Sequence, residues 1–146
     1  MLRLILAALM VTIPISTTAQ DIVSYETDQS FDDVVFGLES AILDRGLVID
    51  GQNHVGEMLA RTREDVGSDK VIYEHAEVYS FCSAVLSRKM MEANPLNIGF
   101  CPYDIFVAQP VGEKVIVGFR NFPEGPMKEV QSLLDSIARS ATGADD

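Results

Sequence analysis

The two cysteines, Cys82 and Cys101, are the residues of this chain with the clearest capacity for chemistry. They can form a structural disulfide, remain as two buried free thiols, or act in redox chemistry or ligand binding. The sequence holds no Cys-x-x-Cys motif, so it lacks the local arrangement that lowers a thiol pKa in many redox proteins. Cys82 does lie at the predicted start of a helix, a position that favours a thiolate. All three interpretations stay open.

The predicted order of elements does not favour a bond between these cysteines. A strand ending at Cys82, then a helix, then a parallel strand beginning near Cys101 would place the two residues at opposite edges of the sheet. A disulfide requires Cα atoms within about 7 Å of each other. Residues 95–100 can return the chain if they are extended, because six residues reach about 20 Å. A bond that formed would close a loop of about twenty residues and stabilise the fold by about 3 kcal/mol.

His54 is the candidate ligand for haem iron or for a soft metal. It lies in the first turn of a predicted helix, where the helix dipole favours the neutral imidazole that binds metal. Met58 follows one turn later on the same face, and an imidazole with a thioether suits copper. His54 alone can be an axial ligand of haem. The alternative is a surface or capping histidine beside a core methionine.

No catalytic residue is predicted. His75 lies between Glu74 and Glu77 in a polar stretch that reads as an interruption of a strand. The sequence contains no Gly-x-Ser-x-Gly, His-Glu-x-x-His, phosphate-binding glycine loop or dinucleotide fingerprint. A non-enzymatic role is therefore favoured over an enzymatic one.

The apolar spacing predicts elements in the order βαβαβαββα, which implies an α+β fold with a single mixed sheet packed with helices. The predicted strands are 21–27, 47–50, a third in two pieces at 70–73 and 78–81, and a hairpin of 103–109 and 114–120. The first helix is capped by Ser30 and ended by Gly46, the second is capped by Asn53 and ended by Gly67, the third covers about 83–93, and the last opens at Pro126.

Residues 1–19 have the pattern of a cleavable export signal. Arg3 is followed by an apolar run at 4–15 and by small residues that end at Ala19. The run of about twelve residues is shorter than the roughly 20 that span a bilayer. Cleavage before Gln20 would leave a single domain, 20–146, with a frayed tail at 143–146, in the periplasm or outside the cell. That compartment is oxidising and allows disulfides.

The charge of the chain excludes some partners. Without Arg3, 10 Lys and Arg face 22 Asp and Glu, a net charge of −12. Such a surface repels nucleic acids and anionic lipid, so neither a nucleic acid nor, after cleavage of the signal, a membrane is expected as a partner.

Two stretches of the chain resemble the domain of unknown function 302 (DUF302) family. They are "SFDDVVFGLESAILDRGLVI" and "VYSFCSAVLSRKMMEANPLNIGFCPYDIFVA", and the resemblance covers about residues 20–122. It implies a compact α+β domain, often a homodimer, here an exported bacterial member, and no known function. Pro102 matches a proline of the family, but Tyr103 stands where the family has its second cysteine, and Cys101 precedes it. The second thiol is therefore displaced by two positions.

Three functions follow. The first is an exported, non-enzymatic binding or accessory domain with haem or copper as its ligand, whose site combines His54 and Met58 with Cys82, Cys101 and Tyr103. The second is a thiol–disulfide protein that uses the two cysteines, and the third is a protein interaction module without a small ligand, whose partner the sequence does not identify. The first requires the loop before the second helix to lie near the turn that enters the third.

Overall fold

The computed structural model describes residues 22–144, so the predicted signal at 1–19 and the last two residues lie outside the described part of the chain. The elements are β1 (Ile22–Thr27), α1 (Phe31–Asp44), β2 (Val48–Asn53), α2 (Val55–Thr62), β3 (Tyr73–Cys82), α3 (Ala84–Ala93), a 3₁₀ helix (Pro95–Phe100), β4 (Tyr103–Pro110), β5 (Val115–Arg120) and α4 (Lys128–Thr142). The predicted order of strands and α-helices is confirmed.

The five strands form one sheet in the order β1-β5-β4-β3-β2, and each neighbouring pair is antiparallel. The α+β class with a single sheet is confirmed, but the expected mixture of strand directions is not met. The reason lies between β3 and β4. There α3 and the 3₁₀ helix return the chain to the end of the sheet that β3 has just left, so β4 runs back along β3.

One face of the sheet carries the core. Because side chains alternate along a strand, every second residue of β3, β4 and β5 faces α1 and α4. Burial of each large apolar side chain contributes about 1.5–3 kcal/mol. The core side chains of these three strands are Tyr79, Phe81, Tyr103, Ile105, Val107, Val115, Val117 and Phe119.

Helix α1 forms where the sequence predicts it. The Ser30 hydroxyl accepts a hydrogen bond from the Asp33 amide, and Asp32 and Asp33 lie in the first turn. Gly46 follows the helix with a φ of 70°, a left-handed conformation that favours glycine and ends the helix. Its apolar stripe then packs on the sheet.

Among residues 22–144, α2 is the helix that covers the second face of the sheet, and it does so at one corner. On this face Val78 pairs with Phe106, and Ser80 pairs with Asp104. Helix α2 contacts β3 at Gly56, where an added Cβ would lie 2.8 Å from the backbone nitrogen of Ala76. The helix contributes no fully buried residue. A groove therefore remains open between α2 and the strand residues beside it.

Helix α2 differs from its prediction at both ends. Asn53 does not cap it, because Asn53 pairs with Val78 as the last residue of β2, and His54 takes the cap position without a side-chain hydrogen bond. The helix ends at Thr62 instead of continuing to Gly67. Strand β3 is one continuous strand, and the irregularity predicted near His75 is a register shift between Tyr73 and His75.

We expect Gly56→Ala to destabilise the protein by about 1–3 kcal/mol, because the new methyl group must push α2 away from the β3 backbone. Urea unfolding followed by circular dichroism measures the change. Gly99→Ala is the matched control, since an added Cβ there meets no atom within 4 Å and the backbone is not left-handed. Equal stability of the two variants would show that α2 does not rest on β3.

Candidate functional site

The two cysteines lie side by side. Cys82 is the last residue of β3, Cys101 lies just before β4, and their Sγ atoms are 3.0 Å apart. The expectation that they enter opposite edges of the sheet is wrong, because it assumed parallel strands, whereas β3 and β4 are antiparallel. Both thiols are partly exposed.

The environment of Cys82 opposes a thiolate. Burial, the hydrogen bond with Cys101 and the negative charge of Asp50 raise the pKa of Cys82 to about 12. The start of α3 does not offset this effect. Ser83 caps the helix, and its hydroxyl accepts the hydrogen bond from the Leu86 amide. The position at the helix start therefore does not give the reactive thiol that the sequence favoured.

Tyr103 supports the cysteine pair from the core side. Its side chain is 2% exposed, and its hydroxyl accepts a hydrogen bond from Ser87 at 3.1 Å. The Ser87 hydroxyl also lies 3.9 Å from the Cys101 sulfur. Tyr103 thus holds α3 against the start of β4, and it does not line the groove.

His54 is oriented by a partly exposed hydrogen-bond network. Its Nδ1 lies 3.0 Å from Glu77 Oε1, and Glu77 also accepts hydrogen bonds from the Tyr79 hydroxyl and from Gln52 Nε2. Burial alone would raise the pKa of Glu77, but the hydrogen bonds from Tyr79, Gln52 and His54 outweigh it and hold that pKa below its usual value. An anionic carboxylate only accepts hydrogen bonds, so His54 Nδ1 is the donor in this pair.

His54 lines one part of the groove on the second sheet face. This part of the groove has a volume of about 490 Å³, and its lining includes His54, Met58, Val78, Pro102 and Asp104. His54 and Met58 therefore share one part of the groove, as their spacing in the sequence indicates.

The groove continues toward Cys101. Its second part has a volume of about 380 Å³ and shares Val78, Pro102 and Asp104 with the first. Cys101 and Arg120 line this second part. The corner before α2 and the segment before β4 thus open onto one groove, and His54 and Cys101 line different parts of it. Cys82 and Tyr103 are not among its lining residues. The turn that enters α3 does not lie near the loop before α2, as the first function required, because Cys82 pairs with Val48 at the start of β2 whereas His54 follows the end of that strand.

Two charged side chains, Asp104 and Arg120, also line this groove. Asp104 accepts a hydrogen bond from the Ser80 hydroxyl at 2.6 Å. Arg120, at the far end, makes no ion pair with any residue between Ile22 and Ala144. The groove therefore offers one anchored carboxylate and one guanidinium.

A bare metal ion would find few ligands. Among residues 22–144, no group of three or more histidine, cysteine, aspartate or glutamate side chains has the arrangement to hold one. The same residues include no helix that is both long and apolar enough to cross a membrane.

The sequence analysis missed the network behind His54. Glu77 was interpreted as part of the polar stretch around His75, and nothing in the sequence marked Gln52 or Tyr79 as partners of His54. The alternation of side chains along β3 could have indicated the network, because it places Glu77 on the same face as Tyr79 and beside β2. The floor of the groove, Val78 and Phe106, became recognisable only from the pairing of β3 with β4.

Comparisons with known proteins agree with the fold. The family described as "Domain of unknown function DUF302" matches residues 23–139. The crystal structure of an uncharacterized conserved DUF302 protein from Bacillus stearothermophilus is similar, with a TM-score of 0.61 and 15% sequence identity over 86% of this chain and 95% of that chain. No match is found among curated proteins.

We expect Cys82 and Cys101 to be bonded when the protein is produced in an oxidising compartment, because their sulfurs already lie together. Thiol counting after denaturation without reductant should find no free thiol. Reduction should lower the free energy of unfolding by about 3 kcal/mol, and the double variant Cys82→Ser with Cys101→Ser should not respond to reductant. Two reactive thiols in the unreduced, denatured protein would contradict the prediction.

Proposed function

We propose that this chain, which belongs to the DUF302 family, is an exported, non-enzymatic binding domain that holds haem through His54 in the groove on the second face of its sheet. The observation that carries the proposal is the pairing of His54 Nδ1 with the anionic Glu77, at a histidine that lines the groove. Histidines that bind metals commonly donate their other ring N–H to a carboxylate, which fixes the ring and makes the ligating nitrogen more basic.

The scarcity of protein ligands favours haem over a bare soft metal. The macrocycle brings four nitrogen ligands, so one imidazole completes an axial position. A copper ion would have to rely on His54 and Met58, since no larger donor cluster occurs among residues 22–144. Those two side chains approach from one helix and cannot occupy opposite faces of one haem.

The chemistry of the groove supports an apolar ligand with acidic groups. Val78, Phe106 and Pro102 provide an apolar lining, and Arg120 lies at the end away from His54. A guanidinium without a carboxylate partner can bind a ligand carboxylate through two hydrogen bonds. The two parts of the groove, about 490 and 380 Å³, are each within the usual range for small-molecule sites of about 300–1,000 Å³.

Export is part of the proposal and is supported by the pattern of residues 1–19. A cleaved chain would begin next to β1, with the whole DUF302 match intact. An exported domain of this kind would encounter haem or a related tetrapyrrole outside the cytoplasm.

We expect titration with ferric haem to produce a shifted Soret band with the spectrum of a histidine ligand. His54→Ala should abolish the shift, and Glu77→Gln should weaken affinity by about 10–100-fold, because the ring loses its charged orienting partner. His75→Ala is the matched control, since His75 stacks on Phe31 outside the groove.

Copper forms the alternative arm of this experiment. If copper binding depends on His54 and Met58 and haem gives no Soret shift, the ligand of the site is a soft metal and not haem. A Soret shift that is equal in the His54→Ala and His75→Ala variants would remove His54 from the site and overturn the proposal.

A second candidate function is thiol–disulfide exchange, and the 3.0 Å approach of the two sulfurs at the rim of the groove favours it. A substrate thiolate would attack the Cys101 sulfur of the bonded pair, form a mixed disulfide and release Cys82 as a thiolate. A second substrate thiolate would then attack the substrate sulfur of the mixed disulfide, so that the substrate is oxidised and the pair is reduced. The raised pKa of Cys82 makes it a slow leaving group.

We expect the bonded protein to exchange slowly with dithiothreitol at pH 7, no faster than a model peptide disulfide, because expulsion of Cys82 is disfavoured. Stopped-flow measurement of thiol release gives the rate, and Cys82→Ser tests whether Cys101 alone forms the mixed disulfide. A rate well above that of the model peptide would establish thiol–disulfide exchange as the better description of this site.

A further inference from the structure

A second, smaller cavity lies at the other end of α2, between the last turns of the helix and the start of β3. Its volume is about 180 Å³, and its walls are largely apolar, with Leu59 from the helix and Ile72 and Tyr73 from the approach to β3. This cavity shares no lining residue with either part of the groove. It is therefore separate from the His54 site.

The charged residues of this cavity are all cationic. Arg63, at the end of α2, and Lys70, before β3, line it, and no aspartate or glutamate does. This composition is unusual for a chain with 22 acidic and 11 basic residues. Neither side chain makes an ion pair with a residue in the range 22–144.

Arg63 carries an unsatisfied donor. Its Nε atom is buried and has no hydrogen-bond partner among the described residues. A buried donor without a partner costs about 1–3 kcal/mol, and more when the group is charged. Arg63 lines the cavity, so the other N–H groups of its guanidinium are the ones that an anion there would contact.

We propose that this cavity binds a small organic carboxylate with an apolar body. The carboxylate would accept hydrogen bonds from the Arg63 guanidinium and from the Lys70 ammonium group, and the apolar body would cover the walls. Val66 and Val71 also line the cavity and are 74% and 53% exposed, so a ligand would remove apolar surface from water.

The volume limits the size of the ligand. A cavity of about 180 Å³ corresponds to about six water molecules at roughly 30 Å³ each. The apolar body is therefore a short acyl chain or a single ring, and a tetrapyrrole does not fit. The two sites consequently differ in ligand class as well as in position.

Isothermal titration of the full chain without its first nineteen residues tests the proposal, with octanoate as the probe. Octanol lacks the charge and octylammonium reverses it, so both should bind at least ten-fold more weakly than octanoate. Equal binding of octanoate and octanol would overturn the role of the cations, and absence of octanoate binding would overturn the site.

Arg63→Met removes the guanidinium and keeps an apolar side chain. We expect it to lower octanoate affinity at least ten-fold, whereas Arg61→Met, the matched control on the same helix, removes the same charge outside the cavity lining and should leave affinity unchanged. Equal losses in the two variants would indicate a general effect of charge and reject the site.

Two further measurements keep the test independent of folding and of the haem proposal. Arg63→Met should raise the thermal midpoint of the ligand-free protein relative to Arg61→Met, because it removes an unsatisfied buried donor. His54→Ala should bind octanoate as the parent chain does. Loss of octanoate binding in His54→Ala would assign the carboxylate to the groove and overturn the separate site.

Discussion

The antiparallel pairing of β3 with β4 is the interaction on which the rest of the structure depends. It is the longest ladder of the sheet, running from Tyr73 opposite Pro110 to Phe81 opposite Tyr103. On one face the ladder supplies the centre of the core, and on the other it supplies the floor of the groove. At its end it fixes the two cysteines beside each other, since Cys82 follows Phe81 and Cys101 lies two residues before Tyr103.

The sequence was sufficient to predict the elements, and it was insufficient to predict their directions. Helix α1 and the β4–β5 hairpin could be predicted because their signals are local: a Ser30 cap, a left-handed Gly46 and a turn between two β-rich runs. The direction of β4 depends on how far the chain travels between two strands. That distance is set by the 3₁₀ helix Pro95–Phe100, whose sequence reads equally well as an extended segment.

The candidate site, too, could be predicted only in part from the sequence. The spacing of His54 and Met58 predicted that they share one surface, because helical periodicity is local. The partners of His54 could not be predicted, since Gln52, Glu77 and Tyr79 meet only when β2 pairs with β3 across 25 residues of chain. Cys82 was grouped with the site as the other thiol, at a predicted helix start, and Tyr103 because it stands where the DUF302 family has its second cysteine. The alternation of β4 turns Tyr103 toward the core instead.

Gly118 of β5 lies opposite Phe106 in the ladder, and an added Cβ there would come 2.5 Å from the ring and 2.8 Å from the Val23 carbonyl oxygen. The Phe106 ring therefore packs directly on the backbone of Gly118, and the absence of a side chain at that position sets the depth of the groove. Any side chain at that position would push the ring into the groove. A variant with a larger residue at position 118 would therefore have a shallower groove.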